Sequence, residues 1–170
     1  MSHIEAYSYE QNINDVSLRD IRLHSRHLRI LEELQEIAVQ KAGMKGFRVA
    51  AGLVLRNRII SVGWNRTKSH PFQRRHTKHP EAIYSHAETM AIHEATKRHF
   101  VDLSRATLYV VRVSAKGERA LARPCVGCLD AITDYDIPRV IYSTFTNDLT
   151  DHACGANCIH TRLGYEIWDL

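Results

Sequence analysis

Hydrophobic and polar positions follow two different periods along this chain, and each period predicts a kind of secondary structure. From about residue 18 to Gly43, apolar side chains recur every three or four positions, which is typical of a helix with one buried face. From Phe47 to Leu55 the period becomes two, Arg56-Asn57-Arg58 is predicted to turn, and residues 59–64 return as the second strand of a hairpin. The buried face of the helix consists of Ile30, Leu31, Leu34, Ile37, Ala38 and Ala42.

The second half of the chain alternates between strand and helix patterns after a long loop. The predicted elements are a helix from about Tyr84 to Phe100, a strand at Ala106 to Val113, a helix from Cys125 to about Asp134, a strand at Arg139 to Thr144 and a strand at Tyr165 to Trp168. Strands that alternate with helices predict a layered α/β sandwich with a mostly parallel edge. We expect an N-terminal arm over residues 1–17 and a single domain over residues 18–170.

The composition is typical of a folded protein and argues against a membrane-spanning helix. With 44% hydrophobic and 25% charged residues the chain is expected to fold, and no apolar run approaches the roughly 20 residues of a membrane-spanning helix. Residues 1–20 lack the basic and then apolar layout of a signal peptide. We therefore expect the protein to be cytoplasmic, where its four cysteines stay reduced and available to a metal ion.

Two short motifs carry candidate chemistry, namely His86-Ala87-Glu88 and Pro124-Cys125-Val126-Gly127-Cys128. A catalytic zinc ion takes three protein ligands and keeps a fourth position for water. His86, Cys125 and Cys128 supply three such ligands, and Glu88 is placed to carry protons rather than to bind the metal. A His-x-Glu followed by Pro-Cys-x-x-Cys is the known signature of zinc deaminases. The sequence therefore predicts one catalytic zinc site.

Each motif has a simpler interpretation when it is taken alone. Ser85-x-x-Glu88 before an apolar helical run is also a capping box, in which the glutamate only satisfies backbone donors at the start of a helix. A single Cys-x-x-Cys can be redox-active, structural, or a pair of buried thiols. Both motifs occur here in order, each at the predicted start of a helix, and this combination favours the catalytic zinc site.

The chain resembles the cytidine deaminase superfamily over roughly residues 26–170. Segments similar to the tRNA adenosine deaminase branch are residues 57–60, 63–66, 86–91 and 124–128. The end of the chain differs from that branch, because residues 162–167 resemble the compact finish of deoxycytidylate deaminases and leave no room for a longer helical C-terminal region. The resemblance implies a three-layer α/β/α sandwich around a central five-stranded mixed sheet, and a homo-oligomer.

The same resemblance implies two substrate contacts. Asn65, at the end of the second predicted strand, matches an asparagine that contacts the sugar or the base. The backbone N–H of Ala87 would donate a hydrogen bond to the base carbonyl. Without the resemblance, Asn65 is equally well explained as a turn residue at the end of a strand.

Positive charge is concentrated in the loop that joins Asn65 to the zinc motif. Residues 66–79 carry five lysines and arginines, three histidines and no acidic residue, so with a net charge of +4 the rest of the chain sums to −1. We expect this loop at the rim of the pocket, where cations favour a substrate that bears phosphate. The candidate phosphate contacts there are Arg66, Arg74 and Arg75.

Residues 114–123 form an insertion between the third predicted strand and Pro124, and neither deaminase branch carries such a segment. It adds Lys116, Arg119 and Arg123 against Glu118, and Arg123 is a further candidate phosphate contact. The insertion is predicted either as a solvated hairpin, which could contact another subunit, or as a lid over the substrate.

A second group of metal-ligating residues lies near the C-terminus, at His152, Cys154, Cys158 and His160. These residues could hold a structural zinc ion. However, cysteines four residues apart on a short helix are also ordinary packing residues, and this interpretation is favoured.

Three functions from different classes follow from the sequence. The leading hypothesis is hydrolytic deamination of a cytosine nucleotide, most specifically dCMP to dUMP and ammonia. The first alternative is a deaminase that acts on a base in single-stranded DNA or RNA, with the basic loop binding the strand. The second alternative is a zinc module without catalytic activity that binds a partner through the same surface.

Overall fold

The computed structural model describes residues 18–42, 46–76, 84–97, 101–145 and 165–170. By their internal contacts Met1–Ile30 and Leu31–Leu170 form two compact units, and the sheet described below belongs to the second unit. The elements in chain order are α1 (Leu18–Lys41), β1 (Arg48–Leu55), β2 (Arg58–Trp64), α2 (Pro71–His76), α3 (Ala87–Thr96), β3 (Thr107–Val113), β4 (Arg119–Ala120), α4 (Val126–Asp134), β5 (Arg139–Ser143) and β6 (Tyr165–Asp169).

The strands form one mixed sheet in the order β2-β1-β3-β5-β6, with the two-residue strand β4 paired to the end of β3. This confirms the predicted five-stranded mixed sheet. The expectation of a mostly parallel edge was wrong, because β3 and β5 are the only parallel pair among the described strands. The connection from β3 to β5 passes through α4, and a crossover of this kind is what parallel pairing requires.

The sheet is covered on both faces, which confirms the three-layer sandwich. Helices α3 and α4 pack on one face and share a core with β1, β3 and β5. On the opposite face, Leu34 of α1 lies directly over Gly52 of β1. The core under α3 and α4 includes Ala51, Leu53, Ala91, Ile92, Leu108, Val110, Ala131, Ile132, Val140 and Tyr142.

Helix α3 approaches strand β2 unusually closely at Gly63. A Cβ atom at this glycine would lie 2.3 Å from the carbonyl oxygen of Ala87 and 2.4 Å from the backbone nitrogen of Ala91. Beside it, the hydroxyl of Ser61 donates a hydrogen bond of 2.8 Å to the carbonyl of Ala91. Backbone packs on backbone here, so Gly63 sets the position of the first turns of α3.

Local structure differs from the sequence prediction in one place in particular. Residues 71–76, which were predicted as part of a long loop, form the helix α2 with Phe72, Gln73 and His76 buried. Pro71 occupies the first position of this helix, where the fixed φ angle of proline is favourable and its missing N–H has no cost. Pro71 was a sequence signal for the start of a helix, but the six residues of α2 are too few to show a helical period of apolar positions.

The β1–β2 hairpin has a two-residue turn, because β2 already begins at Arg58. Arg56 and Asn57 take positive φ angles of 48° and 69°, which suits a tight turn between twisted strands. Among the described residues, no helix is long and apolar enough to cross a membrane. The predicted arm over residues 1–17 and the group at His152, Cys154, Cys158 and His160 lie outside the described residues.

We predict that Gly63→Ala strongly destabilises the protein. The added methyl group would overlap backbone atoms that no side-chain rotation can move, and overpacking of this kind costs about 1–3 kcal/mol or more. Urea unfolding of the zinc-loaded protein measures the loss. Gly52→Ala is the matched control, because its Cβ would meet side-chain methyl groups rather than backbone, those of Leu34 at 3.0 Å and 3.4 Å and one of Ile59 at 3.7 Å. An equal loss in both variants would contradict the proposed role of Gly63.

Candidate metal centre and substrate pocket

The residues of the zinc motifs lie at the N-termini of two neighbouring helices. His86 is the N-cap of α3 and Cys125 is the N-cap of α4, and both have extended backbones. Neither side chain caps its own helix, and Cys128 lies in the first turn of α4. Because α3 and α4 pack side by side on one face of the sheet, their N-termini bring an imidazole and two thiols together.

The three ligand groups are close enough to share one ion. Nδ1 of His86 lies 3.3 Å from Sγ of Cys128 and 3.4 Å from Sγ of Cys125, and all three atoms lie within 4.8 Å of one another. Within the described part of the chain this is the only cluster of three or more metal-ligating side chains. One nitrogen and two sulfur donors suit zinc, and three protein ligands leave the fourth position for water.

The two thiols differ in their readiness to ionise. A hydrogen bond from Cys128 lowers the pKa of Cys125 to about 3, and a hydrogen bond with His86 acts in the same direction. The same bond and burial raise the pKa of the Cys128 thiol well above its usual value. The hydrogen bond with Cys125 also raises the pKa of His86, against the effect of burial. The protein alone therefore stabilises one thiolate, and a metal ion must displace the other protons.

Glu88 lies in the first turn of α3 and only 6% of it is exposed. Burial raises the pKa of its carboxyl group, while the nearby His86 acts in the opposite direction. The capping-box alternative is wrong, because His86 and not Ser85 is the N-cap, and the Ser85 hydroxyl donates instead to the carbonyl of Lys68 at 2.7 Å. Glu88 is thus a buried carboxyl group beside the metal-ligating cluster.

A buried glutamine, which the sequence reasoning missed, supports the metal-ligating helix. The side-chain oxygen of Gln73 in α2 accepts a hydrogen bond of 3.0 Å from the backbone N–H of His86 and another from the hydroxyl of Thr89. This oxygen satisfies a backbone donor at the start of α3, where the helix itself offers no acceptor. The basic segment therefore contributes a neutral side chain to the site.

A cavity of about 310 Å³ opens beside the ligand cluster, a size within the range of small-molecule sites. The first turn of α3, the ends of β1, β2 and β3, and the segment that leads into α4 form its walls. The predicted residues Asn65, His86, Ala87, Glu88, Arg123 and Cys125 all line it. The other lining residues are Phe47, Val49, Tyr84, Ser85, Arg112, Leu121 and Ala122.

Asn65 also has a structural task at the cavity wall. Its Oδ1 accepts a hydrogen bond of 2.8 Å from the backbone N–H of Val49, and its Nδ2 donates to the carbonyl of Phe47 at 3.3 Å. These bonds fix the start of β1 against the end of β2. A substrate contact from Asn65 stays a prediction, and its place on the wall is compatible with it.

The candidate phosphate contacts do not all lie at the cavity. Arg123 lines it, whereas Arg74 and Arg75 are exposed residues of α2 and are not among the lining residues. The guanidinium carbon of Arg66 lies 4.5 Å from the centre of the Trp64 ring, and Arg66 is not a lining residue either. Arg112 does line the cavity, although it was not a candidate.

The insertion forms a hairpin whose returning arm becomes a wall of the cavity. Strand β4 pairs with the end of β3, and the N–H of Ser114 donates to the carbonyl of Glu118 at 2.8 Å across the turn. Gln35 of α1 fixes this hairpin, because it donates to the carbonyl of Gly117 and accepts from Nε of Arg119, both at 2.9 Å. Residues 121–123 then pass along the cavity.

Comparison with known proteins agrees with this geometry. The family described as the cytidine and deoxycytidylate deaminase zinc-binding region matches residues 24–144. No curated protein matches the chain.

Several solved structures are similar in fold. Cytidine deaminase from Burkholderia pseudomallei has a TM-score of 0.52 at 15% identity, and the match covers 83% of this chain and 91% of that one. The dCMP deaminase of cyanophage S-TIM5 has a TM-score of 0.47 at 19% identity, covering 84% and 93%. A diaminohydroxyphosphoribosylaminopyrimidine deaminase/5-amino-6-(5-phosphoribosylamino)uracil reductase from Thermotoga maritima has a TM-score of 0.44 at 25% identity, covering 74% of this chain and 31% of that one. The match to the Burkholderia structure, together with the family match, shows that the fold is cytidine deaminase-like.

We predict that zinc binding at neutral pH releases protons, chiefly from Cys128 and in part from His86. Both pKa values are raised in the metal-free protein, so these groups hold protons that zinc must displace, and zinc affinity falls as the pH is lowered. Calorimetric titrations with zinc, in buffers that differ in ionisation enthalpy, count the protons released. Cys128→Ala should reduce this count, and a zinc-binding heat that is the same in every buffer would contradict the prediction.

Proposed function

The chain belongs to the cytidine and deoxycytidylate deaminase zinc-binding family, and from this premise we propose that it hydrolytically deaminates a cytosine mononucleotide. The leading case is dCMP, which would give dUMP and ammonia. One observation carries the proposal: three side chains that could hold zinc cluster beside a buried glutamate, next to a cavity the size of a small-molecule site.

The protein's own residues divide the work of this reaction. His86, Cys125 and Cys128 hold the metal, and bound zinc would lower the pKa of a water molecule from about 15.7 toward about 7. Glu88 moves one proton of the attacking water to the ring nitrogen as the C4–O bond forms. It then moves the second proton, from the C4 hydroxyl, to the amine as the C4–N bond breaks, which gives the uracil carbonyl and ammonia. Burial raises the pKa of Glu88, which suits a carboxyl group that both accepts and donates a proton in the reaction.

The base is oriented by the start of α3 and the end of β2. The backbone N–H of Ala87, in the first turn of α3, donates a hydrogen bond to the base carbonyl. Asn65, directly after β2, contacts the sugar or the base. Arg123 favours a phosphorylated substrate, because it adds a cation to a cavity whose acidic lining residue, Glu88, is deeply buried.

A deaminase that acts on single-stranded nucleic acid is the second candidate, and one observation favours it. The Trp64 ring, adjacent to Asn65, has Arg66 at 4.5 Å and the Lys41 ammonium at 5.0 Å, so an aromatic ring and two cations lie together. Phe72, the aromatic residue within the basic loop, is buried and packs against His93, so it offers no surface on which a base could stack.

We predict that Glu88→Gln retains zinc but loses deaminase turnover by about 10²–10⁴-fold, because the amide cannot carry the proton. Ammonia release and the metal content of the purified protein measure the two effects. Glu94→Gln, a change at a half-buried position on the same helix that removes an ion pair with Lys97, should leave both unchanged. Zinc-loaded wild-type protein with no turnover on any nucleobase would favour the non-catalytic zinc module instead.

We predict that mass spectrometry will detect turnover of cytosine mononucleotides, in a panel that also contains nucleosides, triphosphates, single-stranded DNA and an RNA hairpin. The substrate affinity should depend only weakly on salt, because a mononucleotide releases few counterions. The mononucleotide proposal would be wrong, and the second candidate favoured, if only polymers were turned over and their affinity fell steeply as the salt concentration rose.

A further inference from the structure

Arg112 occupies an unusual position for a charged residue. It is the sixth residue of strand β3 and the only charged one. By the alternation of strand side chains it shares a sheet face with Leu108 and Val110, which are buried beneath α3 and α4. At Arg112 the helices no longer cover the sheet, and the residue is exposed and lines the same cavity as His86 and Glu88. The strand thus delivers a guanidinium group to the cavity.

The structure fixes Arg112 from two sides. Its backbone N–H donates to the hydroxyl of Ser143 at 3.1 Å, and its guanidinium carbon lies 4.8 Å from the centre of the Phe47 ring. Asn65 in turn binds the carbonyl of Phe47. The wall that includes Asn65 therefore also positions the aromatic ring on which Arg112 lies.

A second arginine at the cavity is held in the same way. The guanidinium carbon of Arg123 lies 5.0 Å from the centre of the Trp168 ring on β6. Within the described ranges, neither Arg112 nor Arg123 has a carboxylate partner within 4.0 Å. A contact with the face of an aromatic ring restrains a guanidinium group but leaves the N–H donors at its edge available, whereas a carboxylate would occupy them and cancel the charge.

We propose that Arg112 and Arg123 form an anion subsite of the cavity that binds a terminal phosphomonoester on the sugar of the substrate. Each guanidinium offers a planar set of donors that matches phosphate oxygens. A phosphomonoester carries close to two negative charges at neutral pH, which two arginines balance better than they would balance a singly charged diester. The inference rests on the proposed function for the identity of the base and deepens it by assigning the phosphate.

The test uses a probe without a base, 2-deoxyribose 5-phosphate, and measures its binding to the zinc-loaded protein by calorimetry. The wild-type protein should bind this probe and not 2-deoxyribose. Arg112→Gln and Arg123→Gln should each weaken binding about tenfold to a hundredfold, as expected for the loss of a charged hydrogen-bonding group. The matched control is Arg58→Gln, because Arg58 is an exposed arginine at the start of β2, where it pairs with Leu55 at the end of β1 that is remote from Phe47.

Two further variants keep the test decisive if Arg112→Gln does not fold. Arg112→Lys retains the charge without the planar donors and should bind the probe with intermediate affinity. Phe47→Leu retains the arginine but removes the ring, and it should weaken binding by a smaller factor. The methyl diester of the probe, which mimics an internal position of a nucleic acid, should bind about tenfold more weakly than the monoester.

Failure of this inference is separable from failure of the proposed function. No binding of the probe by the wild-type protein, an equal loss in Arg58→Gln, or equal binding of the diester would each overturn the phosphomonoester subsite, whatever the turnover. Conversely, absence of deamination would not affect the binding result. With an active enzyme, Arg112→Gln should also reduce the preference for dCMP over deoxycytidine in kcat/KM.

Discussion

The site depends on the close contact between the N-terminal half of α3 and strand β2. Two helices must start at nearly the same point for one imidazole and two thiols to reach a single ion, and both helices must therefore lie on the same face of the sheet. Gly63 has no side chain, so the backbone of α3 can pack directly against the backbone of β2. From the other side, Gln73 accepts the N–H of His86. Metal-ligand geometry thus follows from backbone packing rather than from the ligands themselves.

Much of the fold and the metal site could be predicted because the signals are local. Strand alternation is a property of neighbouring residues. The short spacings within His86-x-Glu88 and Cys125-x-x-Cys128 likewise keep the side chains of each motif close together at the start of a helix, whatever the rest of the fold. Strand direction was harder to predict, because it depends on how elements are connected, and only the β3–β5 pair is parallel among the described strands. Arg112 gave no usable signal, because alternation assigns it to a sheet face but does not reveal where the covering helices end.

The basic segment shows why proximity in sequence is a poor guide to proximity in space. Arg74 and Arg75 are only about a dozen residues from His86, yet α2 exposes them and turns their neighbour Gln73 into the protein. A helix separates adjacent side chains by about 100° around its axis, so one residue of the segment supports the metal site while the next two face solvent. The segment does contact the metal-ligating helix, but through the buried neutral side chain of Gln73 rather than through its charged residues.

The cavity combines two electrostatic requirements that oppose each other. A carboxyl group that carries protons works best where water is scarce, because burial keeps its pKa high, as it does for Glu88. A substrate phosphate needs uncompensated positive charge, and such charge in contact with Glu88 would favour the ionised carboxylate and lower that pKa. The fold separates the two needs: Glu88 is buried at the start of α3, whereas Arg112 and Arg123 are exposed and rest on aromatic rings. Because those rings are neutral, they orient the arginines without cancelling the charge that a phosphate requires.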